Sequence, residues 1–169
     1  MFYYWIVFLF SNSNPCWAVI NRGILLCSDC CSVHRSLGRH VSQIKCAKSG
    51  SGALWVPEQL TMVQSLFSCG ANSIWEYSLL QPDSDSPAGS NVQSKSSEYS
   101  KMRKPRSSDP LHPTKSDFIR AKHLQQAFVF RPGKTDQDNS ETELSRQLHG
   151  AVRTNNLETS LRLLSQGII

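Results

Sequence analysis

A mainly α fold is predicted by three features of the sequence. Apolar residues recur at helical spacing, proline and glycine stand where helices start and stop, and polar capping pairs precede two of the later apolar runs. Pro57 sits at a first helical position, and Leu60, Val63, Leu66 and Phe67 make a buried stripe that ends at Gly70. Asn72 to Leu80 predicts a second short helix with Trp75, Leu79 and Leu80 turned inward. Thr114 and Asp117 offer the start of a helix over Ser116 to Phe130, with Phe118, Ala121, Leu124 and Phe128 on its inner face and Arg131-Pro132-Gly133 at its end. Ser140 with Glu143 reads as a capping box for a helix that carries Leu144, Leu148, Ala151 and Val152 as far as Arg153. After the Asn155-Asn156 turn comes a helix from Leu157 to Ser165, with Leu161 and Leu164 buried and Gly167 closing it.

Between these runs the composition changes. Gln81 to Pro110 holds nine serines and four prolines with little apolar relief, so it cannot offset its ordering entropy by burial and reads as a disordered insert. On that reading, removing residues 83–108 leaves thermal stability almost unchanged. Its Lys101-Met-Arg-Lys-Pro-Arg106 cluster suits a solvated charge run, with contact to anionic lipid or recognition of Ser107 and Ser108 by a kinase as the functional alternatives. Residues 46–54 read as a flexible loop, and 133–139 as a polar linker. The chain has 169 residues, room for one domain and the beginning of another. A net charge of +5 suits acidic membrane surfaces or an anionic partner.

The strongest chemical signal is Cys27-Ser-Asp-Cys30-Cys-Ser-Val-His34-Arg35-Ser-Leu-Gly38-Arg-His40. A C-x2-C turn places two thiolates on one metal ion, but two ligands do not close a tetrahedral zinc site. A redox pair and buried small hydrophobes are the competing readings. Cys27, Cys30 and Cys31 are clustered while Cys16, Cys46 and Cys69 are scattered, which favours metal use in a reducing compartment over a disulfide framework. Val33 to Val41 reads as the short helix that follows the knuckle and carries Arg35 near its start.

Taken with Pro15, Trp17-Ala-Val-Ile-Asn21-Arg-Gly23 upstream and Gly70-Ala-Asn72-Ser-Ile-Trp75-Glu76 downstream, the knuckle resembles the Arf GTPase-activating (ArfGAP) zinc-finger family. Ser32-Val-His-Arg-Ser-Leu-Gly38, Gly70 to Glu76, Phe118-Ile-Arg-Ala-Lys122 and Leu157-Glu-Thr-Ser-Leu-Arg-Leu-Leu164 are similar to its GIT branch, adaptors that interact with G-protein-coupled-receptor kinases. The resemblance implies an α+β class: mainly α with a small zinc-finger β element, an ArfGAP-type domain followed by the start of an ankyrin helical repeat. The division it implies is a non-family segment over 1–10, an ArfGAP domain over 11–132 with the insert at 81–110, the linker at 133–139, and a truncated first ankyrin repeat over 140–167. Leu148-His149-x-Ala151 and Leu163-Leu164-x-x-Gly167 carry the ankyrin likeness. A lone repeat has no neighbour to complete its core.

The family's finger has two C-x2-C pairs, and its spacing, counted back from Cys27, puts the first pair at Val7 and Phe10, neither of which binds zinc. Cys16 sits where the family carries no cysteine and reads as a plain surface or packed thiol in preference to a displaced ligand, while Cys31 and His34 lie beside the knuckle, open to recruitment as substitute ligands. Residues 2–10 are apolar throughout, too short for a membrane span of ~20 residues, and poor as a signal peptide. They read as a translated intron end joined to the family sequence at Ser11. Transcript reads that splice Met1 to Ser11 in one translated message would sink that reading.

The resemblance implies that Arg35 is an arginine finger, supplied in trans to an Arf-family GTPase bound to GTP. It also implies that Cys27 and Cys30 are the remaining half of a zinc site; because the finger acts in trans, the protein is expected to be an activator of another enzyme and not itself an enzyme. Other implied partners are an anionic phosphoinositide membrane surface and, through the ankyrin repeats of the parent protein, other proteins. Localisation is expected to be cytoplasmic with peripheral membrane recruitment. Arg39 lies off the motif position and reads as a solvated or Arf-contacting charge. In the family the Arg120 to Lys122 segment lies near the basic surface, with Ile119 structural and Lys122 free to interact. The rival class is a non-catalytic scaffold with a purely structural finger. Nucleic-acid binding is not expected, because the basic-aromatic pattern and the histidine pair of DNA-reading fingers are absent. With half its zinc ligands, the chain is expected to be a poor zinc binder and a poor activator, and Val7→Cys with Phe10→Cys is expected to raise both properties.

Overall fold

The computed structural model describes residues 16–47, 54–80, 99, 102–131 and 137–166. The segment 1–10 with Val7 and Phe10, the serine-rich stretch 81–98 and Gly167 lie outside them. Three short strands come first: β1 (Trp17–Val19), β2 (Ile24–Leu26) and β3 (Ile44–Cys46). They form an antiparallel sheet in the order β2-β1-β3, in which Trp17 stands opposite Leu26 on one side and Cys46 on the other. Helix α1 (Ser28–Ser36) follows β2 directly; α2 (Pro57–Ser68), α3 (Ala71–Trp75) and α4 (Tyr77–Leu80) follow β3. Helix α5 (Ser116–His123) and the pair α6 (Gln137–Arg153) and α7 (Leu157–Ser165) complete the described chain. The class is therefore mainly α with one small sheet.

Four apolar clusters hold these elements. Val19, Ile24, Leu26 and Cys31 join the sheet to α1. Val33, Leu37 and Val41 meet Ile119 of α5, so the other side of α1 is also covered. Leu66, Ala71, Ile74, Trp75 and Val129 take in Leu161 of α7, and Phe118 stacks on Phe128 with ring centroids 5.4 Å apart.

A turn of 3-10 helix over Ile20–Arg22 links β1 to β2 and ends at Gly23, whose φ is 64°. A β-carbon there would collide with Leu66 Cβ, so the positive φ and the approach of α2 both demand glycine. Gly23→Ala is expected to lower stability by roughly 2–4 kcal/mol, left-handed backbone cost and overpacking together, read from urea denaturation.

Several expected boundaries shift. Helix α1 begins at Ser28, because the Cys27 thiol caps it by accepting from the Cys30 amide (3.5 Å), and it ends before Gly38, whose φ is 90°. Arg35 thus lies in its last turn, not near its start. Helix α5 stops at His123, where the chain reverses through Gln126 at φ 51°; Leu124 faces solvent and Phe128 returns to the core from outside the helix. Its first turn uses no Thr114 or Asp117 cap; Ser116 Oγ donates instead to the Pro113 carbonyl (2.8 Å). Helix α6 begins at Gln137, ahead of Ser140, and the Glu143 carboxylate accepts from Arg146 and Gln147, so no capping box starts it there. Phe67, Leu80, Val152 and Leu164 are exposed, while Leu163 is buried in place of Leu164.

The expected insert is also shorter than 81–110. Tyr99 and Met102 pack against Phe118, Ala121 and Phe128, and Lys104 reaches Glu76 at 2.7 Å. Asp109 holds the segment locally, accepting from both Arg103 guanidinium nitrogens (2.8 and 3.0 Å) and the Arg106 amide (2.7 Å). A thioether and a phenol ring find an apolar seat that the serine-rich composition around them conceals. Removing residues 83–108 therefore takes away packing and an ion pair, contrary to the neutral outcome that the composition suggests.

Candidate functional site: an arginine stacked on the sheet

Arg35 is exposed, and its guanidinium carbon lies 4.4 Å above the Trp17 ring centroid. The stack is built by three short-range choices. Trp17 is fixed at the centre of the sheet by its two cross-strand neighbours. Cys27 caps α1 immediately after β2, which aims the helix back across the sheet. The negative end of the helix dipole then favours a cation in the last turn, where Arg35 sits. No ion pair involves Arg35 among the described residues, so its N–H fork is free for an incoming anion.

Beneath α1 is a buried polar layer. Arg22 donates from Nε to the Val41 carbonyl (3.3 Å) and from a terminal nitrogen to the His123 carbonyl (3.5 Å), with its guanidinium 4.1 Å from the Trp75 ring centroid. Asn21 donates to the same Val41 carbonyl (3.2 Å) and accepts from the Gln43 amide (3.0 Å). These bonds tie the turn after α1 to the link between β1 and β2, and so fix the end of the helix that carries Arg35. His34, on the inner face of α1, pairs through Nδ1 with Ser42 Oγ (2.9 Å) and lies 4.9 Å from the His123 ring.

Burial, reinforced by the Lys122 and Arg22 charges, holds His34 down at about 4, and the same causes, with His34 added, hold His123 well below the usual imidazole range. Both rings are neutral in the fold and protonate more readily once unfolded. Their contribution to stability is present above about pH 6.5 and is lost as pH falls from there toward 4. His34 alone is expected to account for roughly 3 kcal/mol of that loss, so the melting temperature should fall steeply over this window and His34→Gln should flatten the profile.

Lys122 is not a surface cation. It is buried, donates to Glu76 Oε1 (2.7 Å) and bonds the Asn72 side-chain carbonyl. Burial alone pushes the Glu76 carboxyl up, but Lys122 and Lys104 outweigh it and leave the group below the usual carboxylate range. Ile119 is structural, in the cluster beneath α1, and Arg39 is exposed.

In the knuckle the Cys30 amide donates to the Cys27 sulfur at 3.5 Å, and burial together with Cys27 raises Cys30 to about 11. The other sulfurs and rings are committed elsewhere: Cys31 to the sheet core, His34 to Ser42, Cys16 to a buried position beside β2. Every cysteine and histidine of the chain falls among the described residues, and no three of the His, Cys, Asp or Glu side chains there gather around one point. Two thiols alone do not fit a tetrahedral zinc.

Trp17, Asn21, Arg22 and Ser42 are the supporting residues that sequence reasoning left without a role. Trp17 and Asn21 stand in the motif, but a three-residue strand is too short to announce which face its side chains take.

The ArfGap family model, described as "Putative GTPase activating protein for Arf", matches residues 11–131. The ARF GTPase-activating protein Git of Drosophila melanogaster is 53% identical over 161 residues, which are 91% of this chain and 21% of that protein. ARF GTPase-activating proteins GIT2 and GIT1 of Homo sapiens are each 49% identical over 158 residues, 93% of this chain and 19% of theirs. The chain thus spans about one fifth of the length of these relatives.

Proposed function

The chain belongs to the ArfGap family and to its GIT branch, and from that premise we propose that it is the GTPase-activating module of a longer scaffold, acting on an Arf-family GTPase through Arg35. The observation that carries the reading is the exposed Arg35 guanidinium held over Trp17 with its N–H fork unpaired among the described residues. Hydrolysis of GTP develops charge on the phosphate oxygens, and a guanidinium inserted in trans stabilises it. Arginine suits the task because its planar fork is always charged and contacts two oxygens at once. The Trp17 face restrains the side chain by cation–π attraction, roughly 0.5–1 kcal/mol, weak enough to let the fork swing onto phosphate.

The mechanism asks three things of the residues present. Trp17 and the last turn of α1 aim the guanidinium; Arg22, Asn21 and the His34–Ser42 pair keep the turn behind α1 rigid; and Glu76 with Lys122 locks α3 to α5 beneath it. No step runs through zinc, whose donor set the described residues do not complete. The net charge of +5 supports recruitment from the cytoplasm to an anionic, phosphoinositide-bearing surface, and α6 with α7 would open an ankyrin array for protein partners in the parent. Among the described residues no helix is long and apolar enough to cross a membrane.

The test is single-turnover hydrolysis of GTP preloaded on an Arf GTPase, with this chain and with the full-length parent. Acceleration by the parent that Trp17→Ala weakens supports the reading. No acceleration by the parent overturns it in favour of a non-catalytic scaffold.

A further inference from the structure

Among the described residues Cys27 and Cys30 lack a metal's full donor set, and a chemistry that remains open to two adjacent thiols is oxidation. Cys27 is exposed at the N-cap of α1 and Cys30 is half-buried one turn along, with the Cys30 amide donating to the Cys27 sulfur at 3.5 Å. Cys31, next in the chain, points into the apolar cluster of the sheet. One accessible sulfur with a second sulfur poised behind it is the arrangement that thiol–disulfide exchange requires.

We propose that Cys27-x2-Cys30 is a reversible dithiol–disulfide site that exchanges with low-molecular-weight disulfides of the oxidised-glutathione type. The Cys27 thiolate attacks one sulfur of oxidised glutathione, forming a Cys27–glutathione bond and releasing one glutathione thiolate. The Cys30 thiolate then attacks Cys27 Sγ, forming the Cys27–Cys30 bond and releasing the second glutathione. Two protein thiols lose two electrons and two protons; one glutathione disulfide takes them up as two thiols. Cys27 attacks first because it is the exposed partner, and Cys30 resolves because it is the next thiol on the same helix, one turn along, with its amide on the Cys27 sulfur. The product ties the cap of α1 to its first turn, at the far end of the helix from Arg35. The site stands independently of any action on a GTPase.

The test uses the full chain, reduced and then equilibrated with reduced and oxidised glutathione at graded ratios, blocked with N-ethylmaleimide in denaturant and digested with trypsin. Cleavage after Arg22 and Arg35 releases Gly23 to Arg35, which holds Cys27, Cys30 and Cys31. With rising oxidant this peptide is expected to pass from three maleimides to one, with fragment ions placing the survivor on Cys31. Cys30→Ser is expected to stop at a glutathione adduct on Cys27, and reduction should restore all three labels in the unsubstituted chain. Three maleimides at every ratio would overturn the proposal. So would a link from Cys27 to Cys16, Cys31 or Cys46, or chelator-resistant, stoichiometric zinc that shields both thiols.

Discussion

Arg35→Lys is expected to abolish most of the acceleration of GTP hydrolysis on an Arf GTPase, a loss of roughly 10³ to 10⁵ where an arginine finger supplies the full effect. The substitution keeps the charge and the reach but not the planar fork, so it cannot contact two phosphate oxygens together. The fold should be indifferent to it. Arg35 is exposed, its contact with the protein is the face of Trp17, and losing that stack costs no more than about 1 kcal/mol. The measurement is single-turnover hydrolysis beside a thermal melt of the same sample. A lysine form with near-full activity would make Arg35 a steering charge and move the catalytic role elsewhere.

Glu76→Gln is expected to cost about 3–5 kcal/mol of stability. Glu76 and Lys122 bury their side chains to 4% and 7% exposure and meet at 2.7 Å. Glutamine preserves shape while removing the charge that makes an ammonium tolerable in that interior. The second arm of the same carboxylate behaves differently. Lys104 is 59% exposed, so Lys104→Ala should cost at most about 1 kcal/mol despite an equally short contact. Replacing both buried partners, Glu76→Gln with Lys122→Met, should recover most of the loss, because no uncompensated charge remains. Urea denaturation of the four proteins decides it; a single Glu76→Gln loss below about 1 kcal/mol would mean that water reaches the pair.

What the sequence disclosed was local, and what it withheld was tertiary. Pro57 and Gly70 bracket α2 as expected, and α7 spans Leu157–Ser165 with Asn156 Oδ1 accepting from the Thr159 amide (3.0 Å), because both helices are delimited by residues that act within one turn. The buried face of α7 was misjudged at Leu164, since α7 packs against both α3 and α6 and no single stripe encodes two contacts. Cys27 went unrecognised as a helix cap because its chemistry draws attention to metal, and the start of α1 moved with it. Arg35 was legible through its motif, but Trp17 as its support was not, standing eighteen positions earlier in sequence. Lys122 looked like a free cation on a basic stretch; only the fold supplies Glu76, 46 residues away.

Leu161 alters what counts as a unit in this molecule. The family match ends at residue 131, yet the pocket formed by Leu66, Ile74, Trp75 and Val129 is closed by a side chain thirty positions later. A piece ending at 131 would bare that apolar floor to water and invite it to stick to other chains. The family-matched part and the helix pair therefore share one cooperative core, and inheritance of the first without the second would leave an open seam.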